Sequence, residues 1–102
     1  MQEQLYQITK ITYRNGTDRV EPDYIKRIGS KGVILFLKED RSMSFLYTER
    51  EGQPYDGILR TSNVHKFERS EDLKTLIVTT ENSVFYLTEV ESNVYEEQNN
   101  DL

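Results

Sequence analysis

The segment Thr75-Leu76-Ile77-Val78-Thr79-Thr80, followed after Glu81-Asn82-Ser83 by Val84-Phe85-Tyr86-Leu87-Thr88-Glu89-Val90, constrains this chain more than any other. Both arms are rich in β-branched and aromatic residues, which suit a pleated, half-buried surface. A short polar break between two such arms predicts a β-hairpin. Val33 to Lys38 and Met43 to Thr48 repeat the arrangement around Glu39-Asp40-Arg41-Ser42. Two hairpins in so short a chain point to an all-β fold: a single small antiparallel barrel, or a two-layer sandwich, of about six strands.

A length of 102 residues is one domain. Hydrophobic residues make up 35% of it and charged residues 30%, so the core is thin. Seven Tyr and four Phe must supply much of that core, and each ring buries a large area. A homodimer is one way for so thin a core to be completed.

The remaining elements follow from local pattern. Leu5 to Arg14 reads as a first strand stopped by Asn15-Gly16. The spacing of Leu5, Ile8 and Ile11 would also suit one helical face, but β-branched enrichment favours a strand with a bulge near Thr9 that resets the alternation. Pro22 to Ile28 is the one helical piece, short, with Pro22 at its start and Gly29 placed to end it. The run Val33-Ile34-Leu35-Phe36-Leu37 lacks alternation and predicts a strand buried on both faces. Glu51 to Gly57 reads as a loop, and Ser62-Asn63 separates two short strands, Ile58–Thr61 and Val64–Phe67. Arg69 to Asp72 is a turn. After Val90 the pattern dissolves, so residues 1–91 form the β-domain and 92–102 an acidic, disordered tail.

Composition excludes several chemistries. The chain has no Cys, which removes disulfides and thiolate-held metals. No stretch approaches the ~20 apolar residues of a membrane span. Met1-Gln2-Glu3-Gln4 lacks the basic and apolar regions of a signal peptide. The expectation is a soluble cytoplasmic protein without a membrane partner. His65 is the single histidine, on a strand and opposite in direction to Val64 and Lys66, with no partner to make it a general base. The carboxylates match no calcium loop. Gly29-Ser30-Lys31-Gly32 lacks the spacing of a phosphate loop and leads into a strand rather than a helix. No cofactor or metal is implied, and the expected class is a non-enzyme.

Charge and tyrosine distribution leave two binding functions. The net charge of −5 is uneven: residues 1–51 carry nine Lys/Arg against eight Asp/Glu, whereas residues 52–102 carry four against ten. The leading expectation is a protein-interaction module that binds a protein partner or a second copy of itself. Its contact residues are Tyr47, Tyr55 and Tyr86, with Glu49 and Glu89 as a charged rim, because tyrosine offers a rigid surface with a polar tip. The alternative is a barrel that binds single-stranded nucleic acid. There Lys26, Arg27, Lys31 and Arg41 would meet phosphates, and Tyr13 and Tyr24 would stack on bases. Residues 10–41 carry eight basic against five acidic side chains, a modest excess for that purpose.

Leu59-Arg60-Thr61-Ser62-Asn63-Val64, followed by Val78-Thr79-Thr80-Glu81-Asn82-Ser83-Val84-Phe85-Tyr86-Leu87, resembles a pattern in small uncharacterised β-proteins of bacteriophages and prophages. In those, a strand-borne Thr-Ser-x-Val precedes a Thr-x-Asn-Ser-x-x-Tyr hairpin. The resemblance implies an accessory protein of a mobile element, acting in the bacterial host cytoplasm by binding a host or phage protein. It brings no reaction, cofactor or catalytic residue.

Overall fold

A computed structural model of the chain describes residues 4–91. The expected acidic tail lies outside the described residues. Six strands are present: β1 (Leu5–Tyr13), β2 (Lys31–Phe36), β3 (Ser42–Arg50), β4 (Gln53–Arg69), β5 (Thr75–Thr80) and β6 (Ser83–Val90). Among the described residues a single short helix, α1 (Pro22–Ile25), lies between β1 and β2. The strands are antiparallel and close in chain order into a barrel, β6 returning to β1. Of the two expected architectures, the barrel is the one formed. Closure leaves no outermost strand, and so removes the edge that an open sheet presents.

Alternation places the core. Met43, Phe45 and Tyr47 of β3 point inward, as do Leu76 and Val78 of β5 and Phe85 and Leu87 of β6. On β1 the register shifts between Ile8 and Lys10, so Ile8 and Ile11 both reach the core despite their odd spacing. The bulge at Thr9 is where the strand reading places it. The β5–β6 turn is closed by buried hydroxyls. Thr80 Oγ1 donates to the Ser83 carbonyl and accepts from the Ser83 N–H, both at 3.0 Å.

Two local expectations are corrected. The apolar run of β2 is not buried on both faces: Leu35 is 48% and Phe36 43% exposed. Only Leu5–Gln7 of β1 pairs with Lys31–Val33, and a register shift after Ile34 turns the end of β2 outward. The segment expected as a loop and two short strands is one 17-residue strand, β4. It pairs with β3 through Asn63 and with β5 from Val64 onward. A strand that changes partners must bend, and the bend falls at the Ser62-Asn63 pair whose polar character suggested a break.

Residues 14–30 are tied back onto the barrel. Ile8 N–H donates to the Ser30 carbonyl at 2.9 Å, and Gly29 N–H to the Ile8 carbonyl at 2.7 Å. Gly29 has φ +95°, a conformation that glycine adopts without a Cβ penalty, and it ends the helical turn. The segment thus lies over the end of the barrel at which β3 turns into β4.

Candidate functional site

That turn is Glu51-Gly52, with φ +55° and +78°. Two consecutive positive φ angles define the type I′ hairpin, whose twist matches that of the strands. Arg50 therefore pairs with Gln53, and Tyr47 lies opposite Gly57. The missing side chain at Gly57 leaves room for the Tyr55 ring, which lies where a Cβ would be 2.7 Å from Tyr55 Cε2. The rings of Tyr47 and Tyr55 meet edge to face, with centroids 5.6 Å apart. The Arg50 guanidinium covers both, 5.6 Å from one centroid and 5.2 Å from the other.

Between this hairpin and α1 is a cavity of about 320 Å³ lined by Asp23, Arg27, Tyr47, Arg50, Tyr55, Ile58, Leu59 and Arg60. Its wall carries three guanidinium groups and one carboxylate, on a chain whose net charge is −5. Among the described residues none of the three arginines makes a salt bridge. Tyr47 is 5% exposed, and its buried hydroxyl has no hydrogen-bond partner among the described residues. Burial pushes this phenol above its ordinary pKa, and the charges of Arg27 and Arg50 oppose the shift. The group stays protonated at neutral pH and is a donor without an acceptor.

Arginines and tyrosines also alternate beneath the cavity. Arg19 lies 4.5 Å from the Tyr13 ring centroid and 4.2 Å from that of Tyr24, and Arg27 lies 4.7 Å from Tyr24. Arg19 is fully engaged, donating to Ser83 Oγ at 2.7 Å, Glu21 at 2.8 Å and the Asn82 carbonyl at 3.0 Å. Arg27 contributes to the cavity and Arg19 does not.

A second feature runs up to this site along the outside of the barrel. Val90 pairs with Leu5, Leu5 with Val33, Val33 with Leu46, and Leu46 with Ile58. The result is an apolar row across five adjacent strands, on the face opposite the core. Ile58 ends the row and lines the cavity, and it is 46% exposed. Phe36, Ser44 and Arg60 form the neighbouring row, which ties exposed Phe36 to a cavity arginine.

The residues expected from sequence are scattered by the fold. Tyr47 and Tyr55 meet at the cavity, joined by Arg27. Tyr86 lies on the outer face under the Lys10 ammonium, 5.4 Å from its centroid. Glu49 approaches Lys31 at 4.0 Å. Glu89 is held by Arg69 at 2.8 Å, which also donates to the Tyr6 hydroxyl. Lys26 caps α1 outside the cavity, and Arg41 lies in the β2–β3 turn at the other end of β3. Tyr13 and Tyr24 are covered by guanidinium groups, and Tyr13 donates to Glu21. Arg50, Arg60 and Asp23 are site residues that sequence reasoning missed. The Glu-Gly pair at 51–52 is the signal that places Arg50, once it is read as a hairpin turn rather than the start of a loop.

Thr61 and Thr80 of the Thr-Ser and Thr-x-Asn-Ser segments serve the backbone. Thr61 Oγ1 accepts from the Met43 N–H and donates to the Ser62 carbonyl, Ser42 Oγ donates to the Thr61 carbonyl, and Thr80 closes the last hairpin. No protein-family model, curated protein or solved structure matches the chain. Among the described residues no helix is long and apolar enough to cross a membrane, and no three His, Asp or Glu side chains are grouped to hold a metal. The fold and site define a small closed antiparallel barrel with an arginine–tyrosine cavity at one end.

Proposed function

We propose that this chain is a non-enzymatic protein-interaction module that docks its partner on the outer face of β1, β2, β3, β4 and β6. The observation that carries the reading is the apolar row from Val90 to Ile58, continued outward by Leu35 and Phe36. The row is half-buried from Val90 to Leu46 and exposed at Ile58, Leu35 and Phe36, and apolar surface left to solvent in this way marks docking sites. The row ends at arginines without ion-pair partners among the described residues, so the fitting occupant is a protein that presents an apolar face edged with acidic side chains. A role as a phage or prophage accessory protein rests on the sequence resemblance alone.

The nucleic-acid alternative fits this geometry less well. A single-strand platform needs free aromatic faces along a basic groove. Here the Tyr13 and Tyr24 rings are occupied by Arg19 and Arg27, and Arg41 is at the far end of β3.

The test compares the wild-type chain with Leu35→Asp/Phe36→Asp in affinity capture and light scattering. Support is a partner retained by the wild type, lost by the double variant and released as salt rises. A wild-type dimer that the double variant makes monomeric would replace the partner by a second copy. Equal capture and equal mass for both proteins would sink the proposal.

A further inference from the structure

We infer that the cavity between α1 and the β3–β4 hairpin is a binding site for a small organic anion, a carboxylate or phosphate group on a compact flat body. This deepens the reading above for one part of the docking surface, and it can be tested without a partner. Three observations converge on it. Arg27, Arg50 and Arg60 line one cavity and make no salt bridge among the described residues. The Tyr47 ring, covered by the Arg50 guanidinium, forms part of the same lining. The lining is mostly polar, with Ile58, Leu59 and the Tyr55 ring as its smaller apolar part.

The chemistry of these groups names the ligand. Guanidinium groups bind planar oxyanions through paired N–H donors. Asp23 is the one carboxylate in the lining, so the cavity repels cations less than it attracts anions but does not act as a purely basic patch. A volume of about 320 Å³ is at the small end of ligand cavities and holds a ring-sized body, not a polymer. Arg50 is already held against two rings, so little order must be imposed on binding.

The experiment titrates the full chain with benzoate, phenyl phosphate, benzyl alcohol and benzylamine, followed by nuclear magnetic resonance of the arginine Nε–H and backbone amides. Saturable shifts at Arg27 and Arg50 with benzoate or phenyl phosphate, but not with the alcohol or the amine, are expected. The tighter of the two anions shows whether carboxylate or phosphate is the natural head group. Arg27→Met should weaken binding about tenfold, the value of one hydrogen bond to a charged acceptor. Arg50→Met should weaken it at least as much. Equal shifts with benzyl alcohol, or no saturation with either anion, would overturn the inference. Anion binding that fails while partner capture persists would leave the docking face standing and remove the cavity from it.

Discussion

The Phe45 ring occupies the space that a side chain on Gly32 would need. A β-carbon at position 32 would lie 2.8 Å from Phe45 Cε2 and 2.9 Å from Cζ, and the Leu46 carbonyl is closer still. Here β2 and β3 approach closely enough that glycine is required for space rather than for its backbone freedom. Gly32→Ala should therefore destabilise the barrel by about 1–3 kcal/mol, the range for overpacking a close contact. Urea denaturation measures it. Unchanged stability would show that β2 can withdraw from β3 without loss.

Arg19 is the clamp that holds residues 14–30 to the β5–β6 turn. Its side chain is 10% exposed and joins Glu21, Ser83, the Asn82 carbonyl and two tyrosine rings. Arg19→Ala should cost about 2 kcal/mol, since several charge-assisted bonds and their packing are lost together. Arg19→Lys should rescue little of it, because an ammonium reproduces neither the fork nor the stacking. Amide exchange should rise across residues 14–30 and less on β3. Uniform loosening of the whole barrel would contradict the clamp.

Tyr47 gives an alkaline signature. Its folded pKa is raised, so the folded state disfavours the phenolate, and the stability it contributes is complete below the unfolded value near ~10. That stability is lost as pH rises from there toward the raised folded value. Tyr47→Phe should abolish this part of the alkaline loss. It should also raise stability at neutral pH by about 1 kcal/mol, because an unpaired buried hydroxyl is removed. A Tyr47→Phe chain less stable at neutral pH would show that the hydroxyl has a partner after all.

Glu21 acts at the acidic end. Its carboxyl is held below the usual range by its own backbone N–H, with burial opposing, and then by the Tyr13 hydroxyl and Arg19. A lowered folded pKa contributes stability that is complete above the unfolded value, ~4.3, and is lost as pH falls through the folded one. Thermal unfolding of the wild type should accordingly steepen below about pH 4, and Glu21→Gln should flatten part of that loss. Asp72, lowered by Ser70 Oγ and the Lys74 N–H, accounts for another part. Identical acid profiles for wild type and Glu21→Gln would remove Glu21 from this account.

Much of this was legible in the chain, because the signals were local. The β-branched and aromatic runs marked the hairpins of β2–β3 and β5–β6, and the bulge expected near Thr9 is the register shift between Ile8 and Lys10. Pro22 and Gly29 bounded the one helical turn. The misreadings came where composition and geometry diverge. Pro54, Gly52 and Gly57 together resemble a loop, yet Gly52 makes a tight turn, Gly57 makes room for a ring, and Pro54 is accommodated within β4. Val33 to Leu37 is apolar throughout, yet its end lies on the outside.

What the sequence determined alone was the all-β class, most of the strands and the absence of cysteine chemistry, since periodicity and composition act over a few residues. Only the tertiary structure decided that the sheet closes, that Tyr47 is buried while Leu35 and Phe36 are exposed, and that Arg27, Arg50 and Arg60 share one cavity. The physical reason is that closure and the path of residues 14–30 set distances between side chains remote in sequence. No local pattern encodes where three such charges converge, or which of two apolar faces a barrel leaves to the solvent.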